Sequence, residues 1–202
     1  MRELSLHILD VVENGITAGG NCIWIEVDEE HKKDQLKIVI RDNGRGMPVE
    51  KLENIDDPFI TTRTTRRVGL GLSLLAAAAE RCDGTMKVDS KPGEGTEITA
   101  TFRFGHIDRA PLGDMAATIT TLIMGNPQID FVYLHRIDGD EYRLDTREIR
   151  AEMQDLSLSD PVVIYHLTET IRSALKALSS HESESRNPEY RSNQRRETTC
   201  QS

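Results

Sequence analysis

Cysteine is scarce in this 202-residue chain: Cys22, Cys82 and Cys200 are the only three, and no two have the CxxC spacing of a zinc or redox site. Widely spaced thiols in odd number point to free cysteines in a reducing compartment. Long apolar runs are missing too, since the longest, Leu74-Leu75-Ala76-Ala77-Ala78-Ala79, is far too short to cross a bilayer. The N-terminus lacks a basic stretch followed by an apolar one and a small-residue cleavage site. No export signal is therefore expected, and the cytoplasm is the expected location. Basic residues are in deficit, 25 against 34 acidic ones, and the net charge of -9 disfavours a general nucleic-acid binder. The six histidines form no H-x-x-x-H pair and read as ordinary surface or core residues. Neither common nucleotide loop is present. The P-loop pattern does not occur, and Gly69-Leu70-Gly71 follows the string TTRTTRR rather than an apolar strand, which argues against a Rossmann turn.

What is present is an α/β pattern. With 37% hydrophobic residues, the chain can build one good core, or one domain with a small appendage. Residues 2–17 read as a helix with a broad apolar face from Leu4, Ile8, Val11 and Val12, ended by Ala18-Gly19-Gly20. Residues 23–27 and 36–40 alternate as strands around a solvated hairpin loop. A short helix is expected after Pro48, and a Leu/Ala-rich one over 71–82 with Gly84 as its C-cap. Strands over 85–89 and 96–102 then close a sheet with helices near Gly105.

Beyond 105 the pattern changes. An amphipathic helix through Leu112 to Ile123 precedes two alternating runs joined by Asp138-Gly139, a strong hairpin signal. Asp160-Pro161 reads as a cap and first helical proline, opening a helix whose apolar face runs from Val163 to Leu178. The expected division is therefore a domain over 1–105, a small αββαα unit over 106–178 and a disordered tail over 179–202.

Three segments carry candidate chemistry. Asp42 directly follows the strand LKIVIR and could accept a hydrogen bond from an exocyclic amine, while Gly44 and Gly46 let backbone approach a planar base closely. As an alternative, Asp42 to Gly46 is simply a strand-to-loop turn. Asp10 and Asn14 share one face of the first helix, where a carboxamide oxygen could ligate Mg²⁺ beside phosphate oxygens. A plain polar stripe is the alternative there. The stretch from Thr61 to Arg67 places three arginines and four hydroxyls before a helix N-terminus, which favours an anion.

In this order, DVVENGITAGG, DNGRGM, DPFITTRTTRRVGLGLS and GEGTEITATF resemble the four boxes of the histidine-kinase-like ATPase family, which includes sensor kinases, Hsp90, type II topoisomerases and MutL. The resemblance spans roughly residues 2–104. It implies a two-layer α/β sandwich of the Bergerat type, with helices on one face of a mixed sheet and ATP between helices and a mobile lid. Asn14 would hold Mg²⁺, Asp42 the adenine amine with Gly44 and Gly46 beside the base, Thr96 would stand near the base, and Arg63, Gly69, Gly71 and Leu72 would serve the phosphates and lid. Asp10 would be the catalytic position, where hydrolysing members usually carry Glu, and Gly15 stands where Ser or Ala is usual.

The boxes begin at residue 10, and His7 lies too close to Asn14 to be a phospho-acceptor, so a complete sensor kinase is not expected. The chain looks closest to small ATPase-domain proteins of anaerobic bacteria whose genes often neighbour iron hydrogenase genes, which makes a redox complex one expected partner. The expected function is Mg·ATP-dependent regulation of a partner protein. A serine kinase resembling anti-sigma factors, or a module holding ATP structurally, is the alternative.

Overall fold

The computed structural model describes residues 3–48, 70–153 and 157–186. Its elements are α1 (Leu4–Thr17), β1 (Cys22–Glu30), β2 (Gln35–Asp42), α2 (Leu70–Glu80), β3 (Met86–Lys91), β4 (Gly95–Arg103), α3 (Met115–Gly125), β5 (Asp130–Ile137), β6 (Asp140–Asp145), α4 (Thr146–Glu152) and α5 (Pro161–Arg186). The expected short helix after Pro48 and the segment carrying Arg63 and Gly69 lie outside the described residues.

The strands form one mixed six-stranded sheet in the order β3-β4-β2-β1-β5-β6. Every pairing is antiparallel except β1 with β5, which run parallel with Ile25 opposite Tyr133. Strand alternation explains the two layers. Leu36, Ile38 and Ile40 of β2 turn to one face and are buried, whereas Lys37 and Arg41 turn to the other and are exposed. Ile25, Val27, Ala100, Phe102 and Tyr133 continue the buried face, against which Ile8, Val12, Leu75, Ile119 and Ile171 of the helices pack in one core. Each such fully buried aliphatic or aromatic side chain contributes about 1.5–3 kcal/mol. On the open face, Arg41 stacks over the Trp24 ring at 4.4 Å and shields it.

The Asp138-Gly139 hairpin forms as expected, with Ile137 opposite Asp140 and positive φ at both central residues, 48° and 105°. Right-handed strand twist favours that mirror-image turn. Asp160 caps α5, its carboxylate accepting from the Val162 N–H at 2.8 Å. The strands of the 106–178 stretch extend the same sheet through β1, and their buried residues join the same core.

Two local expectations change. Asp83 (φ 53°), not Gly84, takes the left-handed position after α2. The Gly84 N–H reaches the Ala79 carbonyl and the Asp83 N–H the Glu80 carbonyl, the paired bonds of a Schellman ending. Glycine is needed at 84 for another reason: a Cβ there would fall 1.9 Å from the Thr101 carbonyl oxygen. Helix α5 also runs on to Arg186, so residues 179–186 are helical rather than part of a disordered tail. Loss of apolar period does not stop a helix by itself, because propagation adds one backbone bond per residue and no Gly or Pro intervenes. The Ser179 and Ser180 hydroxyls bond back to the carbonyls of Leu175 and Ala177.

Candidate functional site

Asp42 is the last residue of β2 and sits between Ile23 of β1 and Thr96 of β4. It faces the helix layer, like Ile38 and Ile40, and is 8% exposed. Its Oδ1 accepts the Gly44 N–H at 2.8 Å. Burial raises the pKa of this carboxyl from its ordinary value, and the backbone N–H groups of Gly44 and Thr96 oppose that rise.

Three glycines stand where side chains would collide with it. A Cβ at Gly15 would lie 2.9 Å from the Asp42 Cβ, one at Gly44 2.9 Å from Oδ1, and one at Gly95 2.0 Å from the Asp42 carbonyl oxygen. Gly46 adopts φ 64°, and a Cβ there would lie 2.0 Å from the Lys91 carbonyl, so the loop rests on the β3–β4 turn. The Ser90 hydroxyl connects these parts. It accepts the Met47 N–H at 2.8 Å, donates to the Gly95 carbonyl at 2.9 Å and lies 2.9 Å from Thr96 Oγ1. An open groove of about 290 Å³ reaches Asp42, Ser90 and Thr96 from the side of Lys91 and Glu97.

Asp10, Asn14 and Gly71 meet elsewhere, on the seam between α1 and α2. A Cβ at Gly71 would stand 3.2 Å from the Asp10 Cβ and 3.8 Å from Asn14 Nδ2. Asn14 is exposed and Asp10 half-buried, so both present polar atoms at the surface of that seam. Gly15 joins the two clusters, following Asn14 in sequence and lying against Asp42. Leu72 belongs to the core, 7% exposed, so what it can offer a ligand is its backbone N–H in the first turn of α2. His7, one turn before Asp10, is buried, and its Nδ1 has no partner among the described residues. Burial lowers its pKa from the ordinary histidine value.

In the sequence Asn43 is only one letter of a turn; in the fold it has a structural role. Its Oδ1 accepts the backbone N–H groups of Asn21 and Cys22 at 2.9 and 3.0 Å, and its Nδ2 donates to Asn21 Oδ1 at 2.7 Å. With the Arg45 N–H on the Ala18 carbonyl at 3.0 Å, it clamps the loop after Asp42 to the turn between α1 and β1. The signal available was its place directly beside a candidate ligand group.

The arrangement suits an adenine nucleotide. A buried carboxylate whose flanks are bare backbone can face an amine on a flat ring, and an exposed carboxamide beside a helix start can serve a hydrated cation and phosphates. Among the described residues no cluster of three metal-ligating side chains occurs, and no helix is long and apolar enough to cross a membrane.

The chain is similar to the sensor protein kinase FleS of Pseudomonas aeruginosa, 38% identical over 105 residues covering 52% of this chain and 25% of that protein. It is also similar to sporulation kinase C of Bacillus subtilis, 30% identical over 94 residues covering 46% and 22%. It thus spans about a quarter of each kinase or less. Among solved structures, the Aquifex aeolicus MutL ATPase domain complexed with ADP aligns with 76% of this chain and 70% of its own, at a TM-score of 0.45 and 14% identity. Residues 2–106 match the model of the histidine kinase-, DNA gyrase B- and HSP90-like ATPases, and the chain belongs to that family, carrying its ATP-binding domain.

Proposed function

We propose that this protein binds Mg·ATP between Asp42 and the α1–α2 seam and uses the nucleotide state to regulate a partner protein. The observation that carries the reading is the Asp42 carboxylate, buried, flanked by Gly44 and by Gly15, the residue after Asn14 in α1. Asp42 accepts from the adenine amine, and Thr96 and Ser90 form the wall beside it. Gly71 and Leu72 offer free N–H groups to phosphate at the start of α2, where the helix dipole favours anions. Asn14 would hold Mg²⁺, which when bound would neutralise phosphate charge. Asp10, half-buried beside Gly71, would take a proton from an attacking nucleophile. The partner-facing part is residues 106–178, in which β5 reaches the nucleotide half directly through β1. A redox complex is one candidate partner.

Kinases among the relatives favour a second reading, phosphoryl transfer to another protein. One experiment separates the two. Pure protein is incubated with γ-labelled ATP, alone and with cell lysate. Label on a second protein supports a kinase, free phosphate supports an ATPase, and bound but intact ATP supports a regulatory or structural ligand. Absence of any nucleotide binding refutes the pocket itself.

A further inference from the structure

Among the described residues, Leu6, Leu74, Ile107, Met124, Val162 and Tyr165 are large apolar side chains left exposed. Three of them meet on the seam between α3 and α5. The Thr168 hydroxyl reaches Thr120 Oγ1 at 3.1 Å, and the Arg172 guanidinium reaches the Asp114 carboxylate at 3.1 Å, so the two helices run antiparallel side by side. Met124 stands one turn on from Thr120, and Tyr165 one turn back from Thr168, which is the same direction along the seam. Val162 lies a further turn out. Met124 is 49% exposed, and Val162 and Tyr165 are each 64% exposed, whereas Ile123 and Ile164 close the seam beneath them. A β-branched valine is a poorer helix former than alanine, and at that exposure it returns little packing. Methionine and tyrosine are the residue types enriched where proteins meet.

We propose that this α3–α5 face is a docking surface for a partner-protein segment whose apolar side chains are flanked by lysines or arginines. Charge selects that occupant. The carboxylates of Asp114, Asp160 and Glu169 border the seam against one guanidinium, that of Arg172, which already pairs with Asp114 and Glu169. The whole chain carries a net charge of -9. A second copy would lay the same carboxylates against one another, and an anionic lipid surface would be repelled by them, whereas a basic partner meets opposite charge. The face belongs to the 106–178 stretch, and α3 also packs against α1, the helix of Asp10 and Asn14. It rests on the reading of that stretch as the part that takes the partner, and it names where and with what chemistry.

The test uses the full chain and two labelled helical peptides, one of leucine and lysine and one of leucine and glutamate, read by fluorescence anisotropy. The lysine peptide is expected to bind, and the glutamate peptide to bind at least about tenfold more weakly. Met124→Ser/Val162→Ser/Tyr165→Ser should lower the affinity for the lysine peptide by at least about tenfold, the loss that follows removal of anchors from the centre of an interface. Leu6→Ser/Leu74→Ser, which removes exposed apolar groups from α1 and α2, should leave that affinity unchanged. Equal binding of the two peptides, full affinity in the triple variant, or an equal loss in Leu6→Ser/Leu74→Ser would each overturn the proposal. So would sedimentation that finds the unmodified chain dimeric and the triple variant monomeric, because a second copy would then occupy the face. Should the triple variant not fold, Tyr165→Lys alone, at a side chain mostly in solvent, must produce the same loss. Mg·ATP binding is titrated on the same samples. A chain that binds Mg·ATP but no lysine peptide overturns this face alone, whereas one that binds the peptide but no nucleotide keeps the face and removes the ATP reading.

Discussion

Replacing Asp42 with Asn should separate ligand affinity from stability, moving them in opposite directions. In the folded chain, the Gly44 N–H occupies Oδ1 at 2.8 Å, so an asparagine keeps its oxygen there and turns its NH₂ to the place of Oδ2. An adenine amine then meets a donor instead of a charged acceptor. Losing a hydrogen bond to a charged group costs about 1.5–3 kcal/mol, and affinity should fall by roughly ten- to a hundred-and-fifty-fold. The unliganded protein behaves otherwise. Burial penalises the ionised carboxylate, which is why its pKa is raised, and a neutral amide of the same shape escapes that penalty. The apo Tm should therefore stay level or rise. Isothermal calorimetry with Mg·ATP and a thermal melt without it measure the two quantities. Unchanged ATP affinity would remove Asp42 from the site, and an unfolded apo variant would make its role structural.

The same carboxyl sets a pH dependence. Its folded-state pKa lies above the ordinary 3.8, so on acidification ATP affinity should decline above the usual aspartate range, while this group's contribution to folding grows as pH falls and is lost as pH rises through that pKa. Calorimetry across pH checks it, and Asp42→Asn should flatten the affinity profile. On the seam, Asp10→Glu adds a methylene and should raise phosphate release above a slow starting rate, whereas Asn14→Ala should abolish the Mg²⁺ dependence of binding. A phosphate-release assay and titrations with and without Mg²⁺ decide both. Away from the site, Gly84→Ala forces a Cβ to 1.9 Å from the Thr101 carbonyl and should cost about 1–3 kcal/mol, read as a lower denaturant midpoint with the m-value unchanged.

The site was legible where chemistry is written into short strings. Asp42 at the end of an alternating strand was readable from the string, whereas what crowds Gly44 and Gly46 in the structure, Ala18 and Lys91, was not, because both contacts are made across the fold. The hairpin at Asp138-Gly139 and the cap at Asp160 were legible because turn and cap preferences act over a few residues. Interactions spanning the chain were not. Nothing local in residues 130–137 states that they pair parallel to residues 22–29, since register is settled by the shared core. Gly84 invited assignment as a cap, whereas the constraint came from Thr101, a contact across 17 residues. Asn43 and Gly15 acquire their meaning only from Asn21 and Asp42, which the fold brings beside them.

The parallel pairing of β1 with β5 matters to anyone who would produce the family-matched half alone. Cutting the chain near residue 106 would leave β1 as a bare sheet edge along Cys22–Glu29, with the ladder bonds now made to residues 130–137 unfilled. Ile23, Ile25 and Val27, which are fully buried, would lose their neighbours Phe131, Tyr133 and His135. An apolar strand with unpaired N–H and C=O groups is a template for pairing with another molecule. Such a fragment should aggregate, and a soluble version must keep β5, β6 and α5, whose Ile171 fills the same core.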